Sequence, residues 1–420
     1  MGLIMGVDLC DDYSQVSWFD KKIMDAVQVG TSEKEESCLI PSVVCRRKKT
    51  DDWLIGEDAY LLALDGEGTM VDKPVKLLAK KGTATIRRVK YTAADIMRIF
   101  LEKLINLAKA RSGEDQIESL VITLQDTLPD GLDALIGITD ELGIAREAVH
   151  IINHSEAYLF YVLSQKKEIW ANNTCLFDLN ANDLYYYEFS VMRGRKPQLV
   201  QVSGVPLEEG FSLEVLDTES GERTADTILT TCAGRLLDGK IITTVFLTGK
   251  GFERTDWAPE FLKTVCQKRR VFYGQNLFAK GAAFLAYDQT LPQTTFPYIC
   301  VCEGRIPSTI SMRVLYEGRE RQLVVLSAGT NWYEAKATVD LILETEDQLE
   351  FYVTPAAGNT QKRYVVDLSE FPTRPNGTTR VQAMFAFTDD RRMTVRVIDK
   401  GFGEFFPASG KMVKQDFVIS

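Results

Sequence analysis

An apolar run from Leu3 to Leu9, charged only at Asp8, gives way to a short polar stretch and then to alternation from Tyr13 to Phe19. This pattern predicts a buried strand, a tight turn and a second strand. It returns at Thr174 to Val191, where Asp178-Leu179 stands in the place of Asp8-Leu9, followed by another polar turn and a strand rich in aromatics. A repeat this long is not a solenoid. Two strand–Asp–turn–strand units, each followed by mixed strand and helix, predict a duplicated α/β core with a cleft between its halves, about 1–170 and 171–290.

Between these hairpins, Ser37 to Cys45 reads as a strand bent or placed at an edge by Pro41. Thr92-Ala-Ala-Asp95 is a capping-box start, and Ala93, Ile96, Met97, Phe100, Leu101, Leu104 and Ala108 behind it form one helical stripe. A buried strand is expected at Glu118 to Leu124, a helix at Asp130 to Leu142, a short strand at His150 to Asn153 and a helix from Ser155 to about Gln165. After the second hairpin come a helix at Ala225 to Leu237 and a strand at Thr243 to Leu247 that breaks at Thr248-Gly-Lys-Gly251. A helix at Gln275 to Tyr287 follows, in which Gly281 allows close helix packing. The texture changes near Leu291: eight short alternating strands, with turns at Ala328-Gly-Thr330, Ala357-Gly-Asn359 and Pro375-Asn-Gly377, predict a β-sandwich over 291–420.

Composition adds exclusions. The 420 residues suffice for two or three domains, and the net charge of −10 leaves no basic footprint for nucleic acid. No apolar run is long enough to span a membrane, and the N-terminus lacks the basic and apolar regions of a signal peptide, so a cytoplasmic protein with no membrane partner is expected. Eight cysteines without a Cys-x-x-Cys spacing read as reduced core thiols, with Cys300-Val-Cys302 leaving a metal or redox pair open. Two histidines, His150 and His154, exclude a His-rich metal site.

In this order the segments resemble the seventy-kilodalton heat-shock chaperones of the actin-like ATPase superfamily, over nearly the whole chain. GVDLCDDYSQV from Gly6 sits where that family has its first phosphate loop, Asp-Leu-Gly-Thr-Thr-Tyr-Ser. IPSVV and LIGEDAY follow at the expected places. LVITLQD and LGIAREAVHIINHSEAYLFY resemble the strand, helix and Asn-Glu-Pro-Thr-Ala-Ala segment. FPTRPNGTTRVQAMFAFTDDRRMTVRVIDKGFGE resembles the family's peptide-binding β-domain turn by turn. The resemblance implies a duplicated actin-like (ribonuclease-H-like) ATPase core over 1–290 followed by the β-sandwich over 291–420. It also implies ATP or ADP with Mg²⁺ as cofactor and a peptide or protein client as partner. The sequence stops at Ser420, after the last strand, so no helical lid is expected over a bound peptide, and exchange would be fast.

The departures from the family bear on the cofactor. Where the family has Gly-Thr-Thr, whose backbone N–H groups wrap the terminal phosphates, this sequence has Cys10-Asp11-Asp12 before Tyr13. A carboxylate about 4 Å from a phosphate oxygen costs about 4 kcal/mol at an effective dielectric near 20. The second turn, Gly-rich in the family, is Asn180-Ala-Asn182-Asp183, and His154 stands where the family has an acid. The stretch from Gly210 to Thr248 is much shorter than in the family, which removes the subdomain that closes over adenine. Asp8, Tyr13, Lys76 and Asp178 keep family residue types, and the adenosine loop keeps Gly249 and Gly251 beside Lys250.

By this resemblance Asp8 and Asp178 would hold hydrated Mg²⁺, and Lys76 would face a phosphate; the bland readings are strand-end caps and an exposed helix lysine. Asp11, Asp12, Asn180, Asn182 and Asp183 form either a site of hard oxygen ligands or a solvated acidic turn. His154 as a general base lacks an identifiable nucleophile or orienting carboxylate. In the β-domain, the family's peptide-gripping loops would fall near Leu315 to Gln322 and Glu344 to Leu349, with Leu315, Tyr316, Gln348 and Leu349 as contacts. The expectation is a chaperone-like protein that binds a peptide or protein partner, its ATP binding and hydrolysis weak or lost. The alternative is an active ATPase with an acidic, cation-rich phosphate site.

Overall fold

A computed structural model describes residues 2–30, 38–126, 129–194, 196–344, 347–358 and 360–419. Ser37, Thr345, Glu346, Asn359 and Ser420, on which parts of an expected strand, loop, turn and chain end fall, lie outside the described residues. The protein is mixed α/β with many strands, and no helix among the described residues is long and apolar enough to cross a membrane. It packs as two units: Met1–Val191 with Val202–Pro297, and Met192–Gln201 with Tyr298–Ser420. Against an expected division after 290, the second unit begins at Tyr298 and also takes up 192–201, where Gln198 to Gln201 pair in parallel with Tyr298 to Val301.

The first unit holds two larger sheets. In one, Val149–Asn153, Ile117–Leu124 and Leu3–Leu9 run parallel, and Tyr13–Asp20 and Asp25–Gln28 continue antiparallel. In the other, Arg270–Tyr273, Ile242–Thr248 and Asn173–Leu179 run parallel, and Leu184–Met192 continues antiparallel. Leu3–Leu9 and Asn173–Leu179 are buried along almost their whole lengths. That is why both read as near-continuous apolar runs rather than as alternation.

Helix Ala93–Ser112 begins at Thr92, whose hydroxyl accepts from the Asp95 N–H while Asp95 accepts from the Thr92 N–H, the reciprocal cap that the sequence predicts. Its seven-residue apolar stripe is buried. Helices His154–Ser164 and Leu277–Gln289 pack closely at Gly281, where a Cβ would come 1.9 Å from the Ala157 carbonyl oxygen. The helix expected from Ala225 starts instead at Glu219, because the Thr218 hydroxyl accepts from the Gly221 N–H and caps it about two turns before the apolar stripe begins.

The second unit has two four-stranded antiparallel sheets. One is ordered Arg319–Leu326, Ser308–Tyr316, Gln348–Pro355, Lys362–Asp367; the other Lys336–Leu343, Thr379–Phe387, Arg392–Gly401, Met412–Val418. The fully buried Phe351 of the first sheet meets Phe385 and Phe417 of the second edge-on, at 5.7 and 5.0 Å between ring centroids. The expected loop at Leu315 to Gln322 is a tight hairpin instead. Only Glu317 and Gly318, both at positive φ, lie between its strands, and that two-residue geometry matches the natural strand twist. No disulfide joins the cysteines, and against their expected burial Cys266 is exposed and Cys10 half-buried.

Candidate functional site

The ends of the two buried runs meet a helix start. Leu3–Leu9 carries Asp8 and Asn173–Leu179 carries Asp178, each near the last position before a polar turn. Helix His154–Ser164 begins with His154, because Asn153 caps it by accepting from the Glu156 N–H. All three side chains are buried, His154 to 1% exposure and Asp8 to 3%.

His154 Nε2 donates to Asp8 Oδ1 at 2.8 Å, and Nδ1 donates to Gln125 Oε1 at 2.8 Å. Gln125 is fixed in turn by donating to the Tyr187 hydroxyl at 2.9 Å, and Phe278 stacks on the imidazole at 3.9 Å. An oxygen at each ring nitrogen favours the imidazolium over either neutral tautomer. Burial pulls its pKa down, but the Asp8 charge and hydrogen bond, with Asp178 and Asp126 behind them, raise it on balance. Cys10 stands beside this pair, its thiol donating to Asp8 Oδ1 at 3.5 Å with Sγ 3.8 Å from His154 Nε2. Burial, then the charges of Asp8 and Asp178, push the thiol pKa well up.

Asp178 accepts from Asn180 Nδ2 at 2.9 Å through Oδ1, whereas Oδ2 is buried with no partner. Burial, opposed by His154 and reinforced by Asp8, raises its pKa to about 7. Gly249, at φ 94°, presses on this carboxylate: a Cβ there would lie 2.4 Å from the Leu179 carbonyl oxygen and 2.7 Å from Asp178 Oδ1. Gly251 has the same relation to the Leu179 side chain. Gly249 is therefore required by the packing of the strand end, whatever the loop binds.

The acidic turn is neutralised from within. Asp12 pairs with Lys73 at 2.8 Å. Asp11, raised in pKa by burial, is pulled back by the Lys76 charge and accepts from the Lys76 backbone N–H. Ser42 fixes the turn by donating from its hydroxyl to the Cys10 carbonyl at 2.6 Å and from its N–H to the Asp12 carbonyl at 2.9 Å. Lys250 pairs with Glu253 and lies over the Tyr13 ring at 5.2 Å. Asn182 and Asp183 are exposed, and the Asn180 N–H closes its turn on the Asp183 carbonyl. Among the described residues, the cluster of His, Cys, Asp and Glu that could hold a metal is Asp8, Cys10 and His154, and it includes none of Asp11, Asp12 and Asp183.

Two readings from the sequence need correction. His154 does have an orienting carboxylate, Asp8, lying 146 positions away in the chain. Excluding a His-rich site did not exclude one with a single histidine. Cys10, read as a core thiol, is half-buried at the site. Sequence offered only one signal for this, Cys10 and His154 standing where the chaperones it resembles have Gly and an acid.

A thiol near an imidazole whose far nitrogen is held by an amide has the outline of a cysteine hydrolase centre. The electrostatics argue against it, because Asp8 rather than Cys10 takes the Nε2 hydrogen bond, and three carboxylates disfavour a thiolate. In the second unit, Leu315 and Tyr316 are exposed, with Arg321 over the Tyr316 ring at 5.2 Å. Gln348 is half-buried, but Leu349 is 4% exposed, since strand alternation turns it into the core; it is not a contact residue.

Residues 25–303, two-thirds of the chain, match the C-terminal region of a family of unknown function, DUF5716. The chain belongs to that family. The family region holds His154, Asp178 and the helix carrying Phe278, whereas Asp8 and Cys10 lie before it. Residues 305–419 match a domain of unknown function, DUF8552, which covers both antiparallel sheets of the second unit. No curated protein matches the chain.

Proposed function

We propose that this is a heat-shock-chaperone-like protein that binds a peptide or protein partner and whose actin-like cleft no longer takes nucleotide. The duplicated core is supported by the first unit's two sheets, each with parallel strands on one side and, on the other, a hairpin whose first strand ends near an aspartate, Asp8 or Asp178. The β-sandwich reading is supported by the Phe351, Phe385 and Phe417 packing.

The observation that carries the loss of nucleotide is the buried Asp8–His154 ion pair. The carboxylate that would face a hydrated Mg²⁺ is already engaged by His154, whose protonated form it favours. Asp11 and Asp12 add negative charge where phosphates would lie, and Lys73 and Lys76 are spent on them. This donor set does not suit Mg²⁺–nucleotide. Calorimetric titration with Mg-ATP and Mg-ADP is expected to show no binding by the wild type. Micromolar wild-type binding would overturn the reading in favour of an active ATPase. Gain of binding by Asp11→Thr with Asp12→Thr would identify the acidic turn as what closed the cleft.

Partner binding rests on a splayed ladder. Ser308–Tyr316 and Gln348–Pro355 pair from Ser308–Pro355 to Ser311–Tyr352 and then stop, although both strands run on to Tyr316 and back to Gln348. Two strand ends that part beside the exposed Leu315 and Tyr316 offer backbone groups and apolar surface to an extended segment. Fluorescence anisotropy with labelled extended apolar peptides is expected to show binding that Leu315→Asp with Tyr316→Asp weakens at least tenfold. Equal binding by the variant would rule out this face.

A further inference from the structure

We propose that Asp8, Cys10 and His154 form a three-residue site for a zinc-class divalent cation, with its fourth position left to water beside Asp178. The site does not depend on the chaperone-like reading, since its donors are found in the first unit whatever the second unit binds. Bonds of roughly 2.0–2.3 Å in tetrahedral geometry set neighbouring ligand atoms roughly 3.3–3.6 Å apart. Asp8 Oδ1 and Cys10 Sγ are already 3.5 Å apart, and Cys10 Sγ and His154 Nε2 3.8 Å. Only the 2.8 Å Asp8–His154 hydrogen bond must lengthen, as the ion takes the place of its proton.

The outer contacts fit as well. A metal-bound imidazole keeps its other N–H on a carbonyl or carboxylate, and Nδ1 is held in that way by Gln125 Oε1, itself anchored on Tyr187. Phe278 fixes the ring plane. Asp178 is close enough for its charge to act on Cys10 and His154, and it has a buried, unpartnered Oδ2 that can accept from a bound water. The half-buried Cys10, Asp11 and Tyr13 leave a way in from solvent. Sulfur and nitrogen donors select a zinc-class ion over Mg²⁺ or Ca²⁺. Binding releases two protons, one from His154 Nε2 and one from Cys10 Sγ. One carboxylate and one thiolate then balance the dication, and the imidazole is neutral.

The test is titration of the chelator-treated full chain with Co²⁺, followed by displacement with Zn²⁺. One equivalent is expected to bind with a thiolate-to-cobalt charge-transfer band. Cys10→Ser should abolish the band, Gln125→Ala should weaken binding roughly 10–100-fold, and Cys266→Ser, at the exposed thiol, should change neither. Independently of any variant's folding, Zn²⁺ should slow alkylation of wild-type Cys10, read by mass spectrometry, at least tenfold. No band, a band lost with Cys266→Ser but kept with Cys10→Ser, or an unchanged Cys10 alkylation rate would each overturn the site.

Discussion

Replacing Arg374 by Met is expected to loosen the second unit by about 3–5 kcal/mol, the cost of leaving one partner of a buried ion pair uncompensated. Its guanidinium grips Asp399 with both forks, at 2.7 and 2.8 Å, and also donates to the Pro407 carbonyl at 2.9 Å. Both side chains are almost fully inaccessible. Burial alone would raise the Asp399 pKa, but Arg374, with Ser409 and Gly401, outweighs it and holds the carboxyl well below the usual range. A depressed carboxylate contributes stability above its unfolded value of about 3.9. That contribution is lost as pH falls through the folded value.

Hydrogen exchange in Thr379–Phe387 and Arg392–Gly401 reads the effect locally, and amides there should exchange more than 100-fold faster in the variant at neutral pH. The double variant Arg374→Met with Asp399→Asn should regain part of the loss, because no charge is then left buried while the amide oxygen can still accept from a backbone N–H of Gly401 or Ser409. A single variant that exchanges like the wild type would show that the pair holds nothing together.

Asp8→Ala is expected to destabilise the first unit by about 3–5 kcal/mol at pH 5 and by clearly less at pH 8. The variant removes the acceptor of both His154 Nε2 and the Cys10 thiol. At pH 5 His154 is left as a buried lone cation stacked on Phe278; at pH 8 it sheds the proton and much of the penalty. The sign follows from the raised His154 pKa: the pair's contribution is complete below the unfolded value of about 6.5 and is lost as pH rises through the folded value. Denaturant unfolding in the presence of a chelator, at both pH values, measures the difference. Equal losses at pH 5 and pH 8 would show that charge at His154 is not what the pair stabilises.

What was legible in the sequence was local. Both Asp-ended strands, the Thr92–Asp95 cap and the eight alternating strands are written in neighbouring residues whose period and caps act within a few positions. The Asp8–His154 pair is not, because it joins residues 146 positions apart through a fold that no local period encodes. The role of Lys73 is not legible for a similar reason, since its neutralising of Asp12 depends on where helix Pro74–Ala79 sits. Leu349 was misread because the start of Gln348–Pro355, and hence which residues alternate inward, is set by pairing across the sheet. The passage of 192–201 into the second unit likewise depends on a pairing with Tyr298 to Val301, about a hundred residues later.

The most direct measurement is the proton titration of His154, followed by nitrogen NMR of the imidazole in metal-free protein with His150→Gln to leave a single histidine. Both ring nitrogens should be protonated at pH 6, with a midpoint above the ordinary histidine value of about 6.5 that falls below it in Asp8→Asn. A wild-type midpoint at or below the ordinary value, or a midpoint indifferent to Asp8, would contradict the buried ion pair on which the proposed loss of nucleotide rests.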